Sequence, residues 1–383
     1  MSHSDKQVIY LKIKGLLSIG FTDIVGTVIS ATFWFLLASI IEPEELGEIF
    51  YFLGIAGLAS YISLIGTENT IIVYVSKKIK IQSTFNLLSL VVAGVSTLII
   101  ILIFSRVDVS LIMLGYVINT LAMGDILGKK NYKSYSKYFI LQKFLTLSLG
   151  FGFYYLFDVQ GIIYALALTY VGYSIRVFKG FKEYKIDFSL LKPRIGFIMN
   201  NYSMQLARSS QKDIGKLIIG NLIGFTILGN YALASQVIGV MSIFTTVVFK
   251  YILSYDSNGE ENKKLKQLTV IFSVGIAGVG YFLSPIIIPE LFPKYNDSLI
   301  AIQIMSLSII PGTISAIYTS KFLGLEKSRF VLISAIISWI TLIVATIVLG
   351  PIWNISGLAI AFVLAQSFEA VSYIIINKKY KLR

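Results

Sequence analysis

Arg208, Lys212 and Lys216 recur at every fourth position, with Asp213 among them. Side chains four apart share one face of a helix, so the three cations form a single stripe over two turns. The chemistry open to such a stripe is anion recognition. In a low-dielectric cleft, Arg and Lys hold an anion far better than they do in bulk water. A plainer arrangement also accounts for these residues: Arg208 snorkels to the interface, and Asp213 pairs with Lys216 or Lys212. A further acid, Asp23, is expected at a similar depth. There it would pair with Arg208 or Lys212 and keep a gate shut until an anion competes for the cation. Its simpler setting is a hydrated mouth.

The element that must carry the stripe is IGFIMNNYSMQLARSSQKDIGKLIIGNLIGF (195–225), long and apolar enough to cross a bilayer. It is one of many such runs. Of the 383 residues 56% are hydrophobic and 14% charged, which describes a polytopic helical membrane protein. Windows of about 20 apolar residues predict twelve spans, near 15–41, 47–67, 84–105, 109–127, 137–157, 159–178, 196–224, 229–253, 267–290, 296–320, 329–350 and 353–376. The leader before the first of them is cationic. The run after it is too long for a signal peptide and shows no small-x-small cleavage site, so it is expected to be retained. His3 lies in that leader and is expected to be inert.

The net charge of +13 raises the question of nucleic acid. Its distribution argues against that partner. With the N-terminus in the cytoplasm, 28 of the 33 Lys and Arg fall on the cytoplasmic side, and only Arg106 and Lys294 on the other. This is the positive-inside pattern, with both termini cytoplasmic. Three units follow: a six-helix lobe over 1–178, a basic amphipathic linker over 179–195 lying along the anionic inner leaflet, and a second six-helix lobe over 196–383. The lobes resemble each other. A shift of 182 residues lays Leu46-Gly47-Glu48-Ile49 on Leu228-Gly229-Asn230-Tyr231. Repeats of this kind relate by an axis along the membrane normal.

Other polar groups have structural readings. Glu68, Asp125 and Glu369 fit solvated or paired helix ends. Gln205, Gln236, Gln303 and Gln366 could meet sugar hydroxyls, but also serve as polar glue between helices. With no cysteine, thiol catalysis, disulfides and cysteine-ligated metal are excluded. No phosphate-binding Gly-rich loop and no large acidic loop are present, so neither ATP nor a catalytic step is expected, and no cofactor or metal.

LLASIIEPEELGEIFYFLGIAGLASYISLIGTENTIIVYVSKK (36–78) is similar to the opening of the polysaccharide-biosynthesis flippases, the O-antigen-type branch of the multidrug/oligosaccharidyl-lipid/polysaccharide exporter superfamily. The likeness recurs in QKDIGKLIIGNLIGFTILGNYALASQVIGVM (211–241), and more weakly in SPIIIPELFPKYNDS (284–298) and FLGLEKSRF (322–330). It implies an all-α, two-lobed bundle that alternates access and flips polyprenyl-pyrophosphate-linked oligosaccharide outward across a prokaryotic cytoplasmic membrane. Membrane lipids and other polysaccharide-assembly proteins would be its partners. Arg208, Lys212 and Lys216 would then meet the pyrophosphate, with Asp23 and Asp213 in gating or coupling. The sequence departs from the family at Pro293, where many relatives carry Gly, and in a first span whose only charge is Asp23. Two other functions remain open: a cation-coupled exporter of small amphiphiles from the same superfamily, and a non-transporting membrane subunit of a glycan-assembly complex.

Overall fold

Where hydrocarbon offers no hydrogen bonds, a spanning segment must satisfy its own backbone, and these apolar runs do so as helices. The computed structural model describes the backbone of residues 3–256, 263–325 and 327–380, and the side chains there except at 3–19, 204, 207–212, 250–251 and 254–256. The described chain is all helical: α1 (His3–Ile40), α2 (Pro43–Leu64), α3 (Thr67–Ser76), α4 (Gln82–Phe104), α5 (Val107–Gly128), α6 (Tyr132–Phe157), α7 (Val159–Leu168), α8 (Val171–Glu183), α9 (Ile195–Leu222), α10 (Phe225–Met241), α11 (Ile243–Asp256), α12 (Lys263–Leu291), α13 (Asn296–Ser306), α14 (Ile309–Gly324) and α15 (Ser328–Lys379).

Among the described residues, nine helical segments are long and apolar enough to cross a bilayer, or ten when α13 and α14, bent by 44°, are taken as one. Two features reconcile this with twelve expected spans. The 52-residue α15 covers the last two, turning between them at Asn354 (φ 48°) just after Pro351. The seventh is α9, 28 residues long, whose charges set it apart from the apolar segments.

Two limits differ from expectation. The second span does not stop at 67. It breaks at Ile65 and Gly66, both left-handed (φ 49° and 71°), and resumes as α3. Glycine is required at the break, because a Cβ on Gly66 would stand 2.7 Å from the Ile198 carbonyl oxygen. The fifth span begins at Tyr132 rather than 137, behind an N-cap in which the Asn131 side chain accepts from the Ser134 amide at 3.1 Å. That cap adds residues 132–136 ahead of the expected start.

The chain divides into two compact units, Met1–Phe33 with Phe52–Asp213, and Trp34–Tyr51 with Ile214–Arg383. The first is built around α5, against which α3, α4, α7 and α8 pack. Val109, Met113, Val117 and Leu121 recur every fourth residue and are buried to 1% exposure or less, giving α5 a continuous apolar face. The segment after Glu183 is not helical but extended, followed by two short 3-10 turns. The start of α4 pins it: Ser83 Oγ donates to the Tyr184 carbonyl at 2.7 Å, and the Asp187 amide donates to Thr84 Oγ1 at 2.9 Å. Two hydrogen bonds from Ser189 hold the Asp187 carboxyl below the usual carboxylate range.

The second unit centres on α13, covered by α10, α12 and α15. In it α2 and α10 cross at backbone contact. A Cβ on Gly47 would stand 1.9 Å from the Phe225 carbonyl oxygen, and one on Gly229 1.8 Å from that of Pro43. Beside the crossing, Lys294 pairs with Glu42 at 2.8 Å, and the Tyr295 hydroxyl donates to the Ile41 carbonyl at 3.3 Å.

Helices α3 and α5 end alike. Lys78 (φ 62°) and Lys130 (φ 55°) occupy the left-handed position where a helix C-terminus favours glycine, and the amides of Ile79 and Asn131 close the cap. Lysine there strains the backbone. Lys78→Gly and Lys130→Gly are therefore expected to raise stability by about 0.5–1 kcal/mol each, read as a higher melting midpoint in detergent.

Candidate functional site

Helix α9 can lie close along α2 and α3 because small residues face it. Gly57 leaves a niche for Asp213: a Cβ there would stand 2.3 Å from Asp213 Oδ2. The carboxylate is buried, 6% exposed, with the Tyr116 hydroxyl in electrostatic reach. Tyr116 is in turn edge-on to Tyr170 at 5.5 Å between centroids. Two turns earlier on α9, Gln205 Nε2 donates to Glu68 Oε2 at 2.7 Å. Glu68 stands in the first turn of α3, where the helix dipole favours an anion. The other amide atom, Gln205 Oε1, is buried without a hydrogen-bond partner among the described residues.

By helical register, position 205 falls on the same face as 208, 212 and 216. Gln205, one turn before Arg208 on that face, is thus tied to Glu68. At the far end of the stripe, the Lys216 ammonium sits 5.7 Å from the centre of the Phe50 ring, a cation–π contact. The side chains of Arg208 and Lys212 lie outside the described residues, and so does any pairing of Asp23 with them.

What the structure does place at Asp23 is the Tyr135 hydroxyl, donating to Oδ1 at 2.8 Å. One turn along each helix, Gly26 takes the edge of Phe139. Lys143 follows Phe139 by one turn, with its ammonium 5.5 Å from that ring. It lies about 16 Å into α6. The expected span of 137–157 already held Lys143, which sequence reasoning did not single out as a site residue. Asp23, Tyr135 and Lys143 therefore share the α1–α6 seam of the first unit.

Two of the acids expected at helix ends, Asp125 and Glu68, have side-chain partners. Asp125 meets Lys129 at 3.0 Å and Arg176 at 3.5 Å. Glu68 is bound to Gln205 rather than merely solvated. Gln303 donates to the Tyr281 carbonyl at 3.3 Å, the polar glue foreseen for it. The Glu68–Gln205 link carries a consequence. Glu68→Leu strands a buried amide and is expected to cost about 1–3 kcal/mol in unfolding, with Glu68→Gln recovering most of it.

What this arrangement can do is hold charge among packed helices: a buried carboxylate in a glycine niche, an acid–amide pair at a helix break, and cations on the helix that joins them. Broken helices with polar groups at the break are a recurring construction for ion and substrate sites in transporters.

No protein-family model matches the chain, and no curated protein does. Solved structures do. The chain is similar to lipid II flippase MurJ in an inward closed conformation, at 12% identity and TM-score 0.73, covering 96% of this chain and 87% of that one. It is similar to an inward-facing multidrug resistance MATE transporter of the MOP superfamily, at 14% identity and TM-score 0.68, covering 93% and 94%. A third is a MOP superfamily transporter from Pyrococcus furiosus, at 16% identity and TM-score 0.60, covering 96% and 95%. At such identities the likeness establishes the fold: an all-α MATE/MurJ-like membrane bundle.

Proposed function

We propose that this chain is a membrane transporter that flips a polyprenyl-pyrophosphate-linked oligosaccharide from the cytoplasmic to the outer leaflet by alternating access. One observation carries the reading. Helix α9 is of membrane length, its positions 205 and 213 are buried against polar partners, and it bears three cations at four-residue spacing. Charge at bilayer depth is expensive and persists where it serves a pathway. A net-positive stripe suits a pyrophosphate, and the fold likeness to the lipid II flippase supports a lipid-linked anion. The protein would work in a prokaryotic cytoplasmic membrane with both termini inside, as the cation distribution supports. It would perform no chemical step and could act beside other polysaccharide-assembly proteins.

The test is to extract polyprenyl-linked lipids from cells lacking the gene and weigh them by mass spectrometry. Build-up of a complete pyrophosphate-linked glycan, cleared by the wild-type gene, is the expected result. Unchanged lipids would refute this substrate.

A second reading has its own support in Asp213, a buried carboxylate at membrane depth, and in the MATE likeness. It is a cation-coupled exporter of small amphiphiles. Efflux that depends on Na⁺ or pH and fails in Asp213→Asn, with no lipid build-up, would select it.

A further inference from the structure

A cavity of about 410 Å³ opens where α3 and α5 end, lined by Lys78, Lys80, Gln82, Lys129, Lys130 and Tyr184. Its cations are not equivalent. Lys129 is neutralised, with Asp125 at 3.0 Å and Glu183 at 3.3 Å. Burial pulls its ammonium down, but the Asp125 and Glu183 partners outweigh that and hold it above the ordinary lysine value. Lys78, Lys80 and Lys130 have no ion-pair partner among the described residues.

Helix dipoles explain only part of this. Lys78 and Lys130 follow the C-termini of α3 and α5, where a cation is favoured. Yet both sit in left-handed backbone that glycine would occupy with less strain. Lys80 stands two residues before Gln82, at the N-terminus of α4, where the dipole repels it. Gln82 closes the wall beside these lysines: it is 3% exposed and its Nε2 donates to Asp125 Oδ1 at 3.3 Å. Three ammoniums without an ion-pair partner among the described residues therefore line one cavity. Ammoniums recognise phosphate.

We infer that this cavity is a phosphate-binding site, in which Lys78, Lys80 and Lys130 hold the phosphate of a glycerophosphate group. The ligand is either the headgroup of an anionic phospholipid in the adjacent leaflet or free glycerol phosphate. The site shares no residue with α9, so it stands or falls separately from the substrate proposed above.

The test uses the full chain reconstituted in phosphatidylcholine nanodiscs doped with phosphatidylglycerol, with retained lipid counted by native mass spectrometry. Lys78→Gln/Lys80→Gln/Lys130→Gln should lower phosphatidylglycerol retention roughly a hundredfold relative to wild type. The control Lys77→Gln/Lys133→Gln/Lys182→Gln removes as many charges from the same face outside the cavity, and should change retention little. Lys78→Gly alone, which relieves backbone strain and so folds securely, should lower it about fivefold. A second arm adds free glycerol 3-phosphate. If it displaces phosphatidylglycerol and raises the melting midpoint, the site serves the soluble compound. If it does neither, the site holds lipid. Equal retention by wild type and the cavity triple variant would overturn the inference. So would equal loss in the cavity and control variants, which would reduce the effect to diffuse surface attraction.

Discussion

Gly229→Ala melts far below the wild type. The added methyl would stand 1.8 Å from the Pro43 carbonyl oxygen and 3.0 Å from the Gly47 amide nitrogen, so the obstacle is backbone and cannot rotate away. The helices must part, and α13, which packs on α10, must follow. Overpacking of this kind costs typically about 1–3 kcal/mol, and the upper end is expected here because no side chain can yield. Gly47→Ala meets the Phe225 carbonyl oxygen at 1.9 Å and should behave alike. Gly94→Ala, on α4 with nothing within 4 Å, is the control. It should be neutral or stabilising by up to ~1 kcal/mol through helix propensity. Thermal unfolding in detergent reads all three. A Gly229→Ala protein that melts like wild type would refute the close crossing of α2 and α10.

If the stripe meets a pyrophosphate as proposed, Arg208→Gln/Lys212→Gln/Lys216→Gln is expected to abolish transport without unfolding the protein. Each charge-assisted contact to a phosphate is worth about 1.5–3 kcal/mol, so losing three would lower transport by more than about a thousandfold. The uncharged glutamines keep the helix, since their propensity matches that of Lys and Arg. Cells relying on the triple variant should accumulate the same lipid as cells lacking the gene. Lys216→Gln alone should do less, because that ammonium already rests on Phe50. Full clearance by a normally expressed triple variant would make the stripe structural.

The fold was largely legible because membrane spans announce themselves by length and apolarity, which tertiary context rarely overrides. What escaped were features of a few residues. The break at Ile65–Gly66 hides in an apolar run, and its cause is the nearby backbone of α9, far along the chain. The early start of α6 was missed because a hydropathy window weighs average composition and overlooks a single N-cap such as Asn131. For the candidate site, spacing on α9 singled out Asp213 and Lys216 but not the Gly57 niche or the Phe50 ring beside them. It could not reveal that Gln205 meets Glu68, since that pair is 137 residues apart in sequence. The cavity of lysines was visible only as loop charge until two helix ends brought Lys78 and Lys130 together.

The α2–α10 crossing has a consequence beyond tight packing. A shift of 182 residues carries Pro43 onto Phe225 and Gly47 onto Gly229. Each glycine therefore abuts the carbonyl four residues before the other, the reciprocal pattern of an isologous contact about a two-fold axis. The two glycines then answer to a single requirement, the separation of one helix pair. Once Gly47→Ala has forced the pair apart, Gly229→Ala has little left to displace, and the double variant should cost well under the sum of the singles.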